Sequence, residues 1–347
     1  MFENSPRSKE LFEYAERKFG SSIAIIFLLK CCVVVSSKLD WPRFSLMHVA
    51  PTRALKSFTS KDVMSIFHSD FWIDLKSDFT MNSLKNYINE FKRGVCLFVN
   101  DATTLLASKA RRTKDRLVGG LSELLSDASY IYQDFRQKFL LNGQATVIMN
   151  ITSEAFQNYK DRLFNLTFSE RFLTVHHVLT KKEKEEWIIR EEDAKKIEYG
   201  KIINVKDIAL KVEIPRKYLL IVKHLAKEFS YLSLNSQVGC QDIIKAVLRA
   251  HASLNKRSQV CMDDVRFVLR IKPYLVNPFS PFEGLIVKYR AKGLSISQIE
   301  QKIGKSNYRQ QIQRVIKKAE LRGILESQSL PKGYDNNPLK RQVTTHG

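Results

Sequence analysis

The 347-residue chain has few glycines and prolines, 13 and 9, which excludes collagen-like and low-complexity architectures. Cysteine is scarce as well. The five present (Cys31, Cys32, Cys96, Cys240, Cys261) are odd in number, form no C-x-x-C spacing and lie in apolar runs. They read as buried, reduced thiols of a cytoplasmic protein, not as a disulfide framework or zinc site. No apolar run has membrane-spanning length. The longest, Ser22–Ser36, is broken by Lys30, falls short of the ~20 residues of a spanning helix and lacks a signal-peptide cleavage pattern. G-x-S-x-G and H-E-x-x-H are absent, and the His176-His177 pair has no Cys, Asp or Glu at metal-ligand spacing, so a core role is expected for it. Acidic residues are in deficit: 57 Lys and Arg face 36 Asp and Glu, a net charge of +21. Such a balance points to a polyanionic partner, nucleic acid before membrane.

The length suits two or three domains of roughly 100–200 residues. Residues 1–40 are charged and then apolar, and predict an N-terminal helical segment. Between 41 and 180, five short apolar runs, Phe44–Val49, Phe71–Leu75, Val95–Val99, Ala145–Met149 and Leu173–Val178, alternate with amphipathic stretches. Nearly continuous apolar strands alternating with helices predict a mostly parallel α/β sheet covered on both faces. The segment 181–280 opens with the densely charged Lys181–Lys201, read as a solvated helix or linker, and continues with 3.6-residue periodicity over Pro215–Ser230, Gln241–Leu254 and Asp263–Leu269. A small basic unit follows at 281–330, then a tail at 331–347.

The first strand is followed by Ala50-Pro51-Thr52-Arg53-Ala54-Leu55-Lys56-Ser57 and a helix-periodic stretch to Phe67. Strand, tight loop, Lys-Ser and helix N-terminus is the layout of a P-loop, in which backbone N–H groups and the lysine hold phosphates and the hydroxyl meets magnesium. Both loop glycines are replaced, by Ala50 and Leu55, so side chains stand where backbone normally approaches phosphate. The run Val95–Val99 ends in Asn100-Asp101, where a Walker B strand delivers its acids; here the first acid is an amide. The run Ala145–Met149 ends in Asn150, and Arg171 precedes the fifth run.

In order and spacing this set resembles an AAA+ ATPase core, and within it the minichromosome-maintenance (MCM) helicase branch. Leu121–Ala128 with Tyr130–Asn142 resembles that branch's helix and pre-sensor hairpin, and Val247–Ala252 with Val260–Val265 its helical lid. The resemblance covers roughly residues 20–275. It implies ATP and Mg2+ as cofactors, with Lys56 on the β/γ-phosphates, Ser57 and Asp101 at the metal, Asp101 orienting water and Asn150 as sensor. It also implies Arg171 as an arginine finger acting on a neighbour in a homo-oligomer such as a hexameric ring. A surface ion pair with Glu170 or Asp161 is the alternative for Arg171, and a strand-end hydrogen bond the alternative for Asn150. Arg216 and Arg249 compete as the lid's sensor arginine.

Basic residues cluster at Arg111, Arg112, Lys114 and Arg116, and at Arg136 and Lys138 near the hairpin turn, as phosphate-seeking patches. In the C-terminal unit, Phe282–Lys292, Ser297–Ile303 and Tyr308–Arg322 follow helix-turn-helix order and resemble a winged helix. Lys305, Arg309, Arg314, Lys317 and Lys318 are its candidate nucleic-acid contacts. The expected fold is thus α/β: a P-loop AAA+ core with a mostly parallel sheet, an all-α lid and a small C-terminal winged helix. The expected function is an ATP-binding DNA motor or remodeller, DNA ahead of RNA, serving replication or mobile-element maintenance. The alternative is a non-catalytic DNA-binding regulator or initiator.

Overall fold

The five apolar runs are five strands, each within a residue or two of the expected start. In the computed structural model they are β1 (Ser45–Ala50), β2 (Trp72–Leu75), β3 (Val95–Val99), β6 (Ala145–Thr152) and β7 (Phe172–His176), with β4 (Ser129–Gln133) and β5 (Lys138–Asn142) forming a separate antiparallel hairpin. The structure describes residues 2–52, 54–75, 79–102, 119–126, 129–133, 138–165, 171–179, 181–232, 235–275, 293–303 and 308–321, with short pieces between 283 and 290. The main sheet is parallel throughout, in the order β2-β3-β6-β1-β7. The chain forms two compact units, residues 1–278 and 279–347.

Strands β1, β3, β6 and β7 of the main sheet are buried on both faces because their alternate residues feed two different cores, while the edge strand β2 leaves Asp74 exposed. Leu46, Ala50, Phe98, Ile148 and Val175 join one cluster with α1 (Pro6–Phe19), α2 (Ser21–Ser36) and α3 (Lys56–Ile66). Met47, Val49, Leu97, Val99, Val147 and Met149 join the other with Ala155 and Phe156 of α5 (Ser153–Asn165), the helical residues 119–126 and the short α4 (Ile88–Lys92). The buried side of the hairpin, Phe139 and Leu141, closes this second core. Gly143, in the left-handed region between β5 and β6, sits so close to the Phe91 carbonyl that a Cβ would collide with it.

Helix α2 explains the long apolar run. Every residue from Ile23 to Ser36 is buried, as expected of a helix that is apolar all round. It packs on α1, on the sheet and on α8 (Gln237–Leu254), so the N-terminal residues share one core with the helices past 181. The charged stretch there is helix α6 (Lys181–Lys196), pinned by Trp187 against Phe19 and Phe58, while Lys195 pairs with Glu191 and Glu192 in solvent. Helices α7 (Arg216–Leu232), α8 and α9 (Met262–Ile271) follow the expected periodic segments. At the join of α8 and α9, Asp264 accepts from Arg257 at 2.6 Å and meets the His251 ring; burial opposes its charge, and these two partners hold its carboxyl below the ordinary range. Four of the five thiols are buried. Cys261 is only half-buried, because it caps α9 at the surface.

The second unit has its own small core, Ile286, Val287, Ile299, Ile312, Val315, Ile316 and Ala319, built from residues near 283–290, α10 (Ile296–Ile303) and α11 (Arg309–Leu321). Among the described residues no helix is long and apolar enough to cross a membrane.

Candidate functional site

Chain direction selects one point on the sheet. From β1 the chain passes β6 and β3 to reach β2 at one edge, whereas from β6 it passes β1 to reach β7 at the other. The adjacent strands β1 and β6 therefore send their helices, α3 and α5, to opposite faces. In open α/β sheets such a switch point, at the carboxyl ends of the strands, is where ligands bind.

The P-loop-like segment lies there. Ala50 is the buried last residue of β1, Pro51 is half-exposed, Thr52 exposed and Ala54 buried; Arg53 falls outside the described residues. Leu55 takes the left-handed conformation, φ 61° and ψ 11°, immediately before the first turn of α3. This is a backbone shape that glycine adopts freely and leucine at a cost of about 1–2 kcal/mol. Its side chain packs into the core cluster and leaves the loop's interior to Lys56. The Lys56 Nζ is buried and donates to the carbonyls of Ala50 (2.8 Å) and Pro51 (2.7 Å). Burial pulls its pKa down to about 8, against the opposing influence of Asp101. The loop thus keeps its turn without glycines, with the amine folded inward.

Strand parity builds the floor beneath it. Asp74 of β2, Asn100 after β3, Asn150 of β6, His48 of β1 and His177 after β7 all fall on the α2/α3 face near the carboxyl ends, making one polar row across all five strands. Asn100 donates to Asp74 Oδ1 at 2.8 Å, and Asn150 Nδ2 lies 3.5 Å from Asn100 Oδ1 and 3.0 Å from Ser60 Oγ of α3. His48 and His177 have ring centroids 6.1 Å apart. Both are buried, and their ring nitrogens have no hydrogen-bond partner among the described residues. Lys30 of α2 roofs the row, donating to Lys56 O (2.9 Å), Thr59 Oγ1 (2.8 Å), Ser60 Oγ (2.9 Å) and Asn150 Oδ1 (3.3 Å).

The expected site residues therefore divide. Lys56, Ser57, the Asn100-Asp101 pair and Asn150 come together: the exposed Ser57 Oγ donates to Asn100 O at 3.2 Å, and Asp101 follows in the chain, exposed. Asn150 is not at the end of its strand, because β6 runs on to Thr152; it is a buried interior residue bonded to Ser60. Arg171 lies apart. It precedes β7 beside the start of β1, in a cleft with Trp41, Arg43, Phe44 and Asp242. At roughly 3.3 Å per residue, β1 separates it from the loop by on the order of 17 Å, so it cannot reach an anion on its own loop. Its alternative partners, Asp161 and Glu170, lie outside the described side chains. Arg249 donates to the carbonyls of Asp40, Trp41 and Val212 at that same far end, which removes it as a contact to the loop, while Arg216 is exposed at the start of α7.

No family model and no curated protein matches the chain. Among the described residues no group of three or more His, Cys, Asp and Glu gathers as a metal site. One hydroxyl and one carboxylate, Ser57 and Asp101, suit a magnesium ion only when phosphate oxygens and water complete its shell.

Of the expected nucleic-acid contacts, Arg111, Arg112, Lys114, Arg116, Arg136 and Lys305 fall outside the described residues. Lys138 is exposed at the start of β5, paired across the hairpin with Gln133. Arg309, Arg314 and Lys317 are exposed on α11, opposite its buried Ile312, Val315, Ile316 and Ala319, and Lys318 lies in the same helix. Sequence reasoning missed Asp74 and Lys30. The signal for each was present, a single charged residue within an otherwise apolar element.

Proposed function

We propose that the chain is an ATP-binding DNA motor or remodeller of the AAA+ type, resembling the MCM branch, that works as a ring-forming homo-oligomer. The observation that carries this reading is the meeting of Lys56-Ser57 with Asn100-Asp101 and Asn150 at the sheet's switch point, with Ser57 Oγ 3.2 Å from Asn100 O. Lys56 would hold the β/γ-phosphates against the first turn of α3, Ser57 and Asp101 would bind Mg2+, and Asn150 would sense the terminal phosphate through its place on β6. Arg171, at the opposite end of the sheet, would act on a neighbouring copy's nucleotide. The bound metal would supply charge neutralisation of the phosphates. DNA would meet Lys138 and the basic face of α11, the latter in a winged-helix unit.

Calorimetric titration with ATP and Mg2+ tests the loop, and DNA-stimulated phosphate release tests the motor. Lys56→Ala should abolish binding and turnover. Arg171→Ala should keep binding and lose turnover. Wild-type rates in either variant would remove that residue's assignment.

A second reading, a non-catalytic DNA-binding regulator, is favoured by Asn100. Where an acid would hold the metal's water shell stands an amide engaged with Asp74. Tight DNA binding with no heat on adding ATP and Mg2+ would select it.

A further inference from the structure

Behind the loop the site holds more basic side chains than the loop itself supplies. Lys30 is fully buried and makes four hydrogen bonds, all to uncharged oxygens. No carboxylate lies within ion-pair distance of it among the described residues. The groups around it are basic or neutral but for one. Helix α3 contributes Lys56, while β1 contributes His48 and the end of β7 His177, both imidazoles kept neutral by burial. Strands β3 and β6 offer the amides of Asn100 and Asn150, and Asp74 of β2, the carboxylate of the row, is bonded to Asn100. Its chain neighbour Cys31 is a buried thiol whose pKa burial pushes up, so it stays neutral. The charges on the other sides of α2 are spent on each other: Lys18 of α1 pairs with Asp62 of α3 at 2.6 Å, and Arg257, just past α8, with Asp264 of α9 at 2.6 Å. Burial first, and then Lys56, drives the Lys30 amine well below the ordinary lysine range. A buried amine in such surroundings either gives up its proton or is matched by an anion.

We propose that Lys30 is a second, buried lysine of the polyphosphate site, supplying charge from behind Lys56 that a bound polyphosphate neutralises. It touches no ligand. It is a positioning residue, acting through Lys56 O, Thr59, Ser60 and Asn150, and it ties the first turn of α3 to β6. The inference rests on reading the loop as a polyphosphate site. Two consequences follow that a purely structural lysine would not produce. Binding draws a proton onto Lys30, and losing Lys30 penalises ligands in proportion to their charge.

The test is calorimetric titration of the full-length chain with Mg2+ and ADP or ATP at pH 8, in buffers of different protonation enthalpy. The proteins are wild type, Lys30→Met and Lys30→Gln. Wild type should take up protons on binding. The Met variant should bind ATP about tenfold and ADP about threefold more weakly, with reduced proton uptake. The Gln variant, which keeps a hydrogen-bond donor but no charge, should behave like Met. Wild-type affinity in the Gln variant, or equal losses for the two nucleotides, would overturn the proposal. Should neither variant fold, the wild-type proton count decides: Lys56, pulled down to about 8, accounts for about half a proton at pH 8, and uptake no larger than that overturns the proposal. A wild type that binds neither nucleotide refutes the loop reading and this inference together, whereas binding without the charge-graded loss refutes this inference alone.

Discussion

Lys30 and Lys56 lie buried among carbonyls and amides of the first unit, whereas Arg309, Arg314 and Lys317 of the second stand in solvent on the back of an apolar stripe. The same charge has different physics in the two places. Buried cations are governed by desolvation, so their protonation responds to whatever charge arrives beside them. Exposed cations keep their protons and lose their influence to salt, with a screening length of about 8 Å at physiological ionic strength. The first unit is therefore expected to answer to pH and the second to ionic strength.

Acid should separate the units most strongly. Burial drives His177 down to about 4, with Glu183 opposing, and drives His48 well below the normal histidine range. Below a pH of about 6.5 the unfolded chain binds protons that the folded first unit refuses. Stability is therefore intact above that pH and falls as pH drops toward 4. For His177 alone the shift corresponds to about 3 kcal/mol. The second unit contains only His346, and all three tryptophans, Trp41, Trp72 and Trp187, belong to the first. Tryptophan emission should thus report a melting temperature that falls with acidification, less steeply in His177→Gln. An equally steep fall in that variant would break the assignment.

Salt should act on the second unit. Replacing Arg309, Arg314 and Lys317 with Gln should weaken duplex DNA binding about 30-fold at 50 mM salt and flatten the salt dependence by about 0.9 for each phosphate that is no longer neutralised. The melting temperature reported by tryptophan should not move. Weaker binding with an unchanged salt slope would mean that α11 contributes shape and not charge.

What the sequence disclosed of all this follows from the range of the forces involved. The strands were readable because each is a short apolar run, and the loop because its residues are consecutive. Strand order was not readable: nothing local tells β6 to insert between β1 and β3. Consequently the row from Asp74 to His177, five residues on or just past five separate strands, is invisible until the register is known. Lys30 was visible as an interruption of an apolar run. Its meaning depends on Lys56, Thr59, Ser60 and Asn150, the last of them 120 positions away.

The smallest effect concerns Leu55, where the missing glycine poses a question of backbone strain. Its φ of 61° costs leucine about 1–2 kcal/mol, partly offset by the packing of its half-buried side chain. Glycine would relieve the strain, lose that packing, and add about 0.5–1 kcal/mol of unfolded-state entropy, so Leu55→Gly should leave stability nearly unchanged. Leu55→Val is the sharper probe. It keeps an apolar side chain but places a β-branch in a conformation that such residues rarely adopt, and it should lower stability by a further 1 kcal/mol or so, read as denaturant midpoint at constant slope. The glycine variant should also bind nucleotide more tightly, because phosphate then meets bare backbone. A valine variant as stable as wild type would mean that the turn is not held left-handed, and that Lys56 is presented by some other loop conformation.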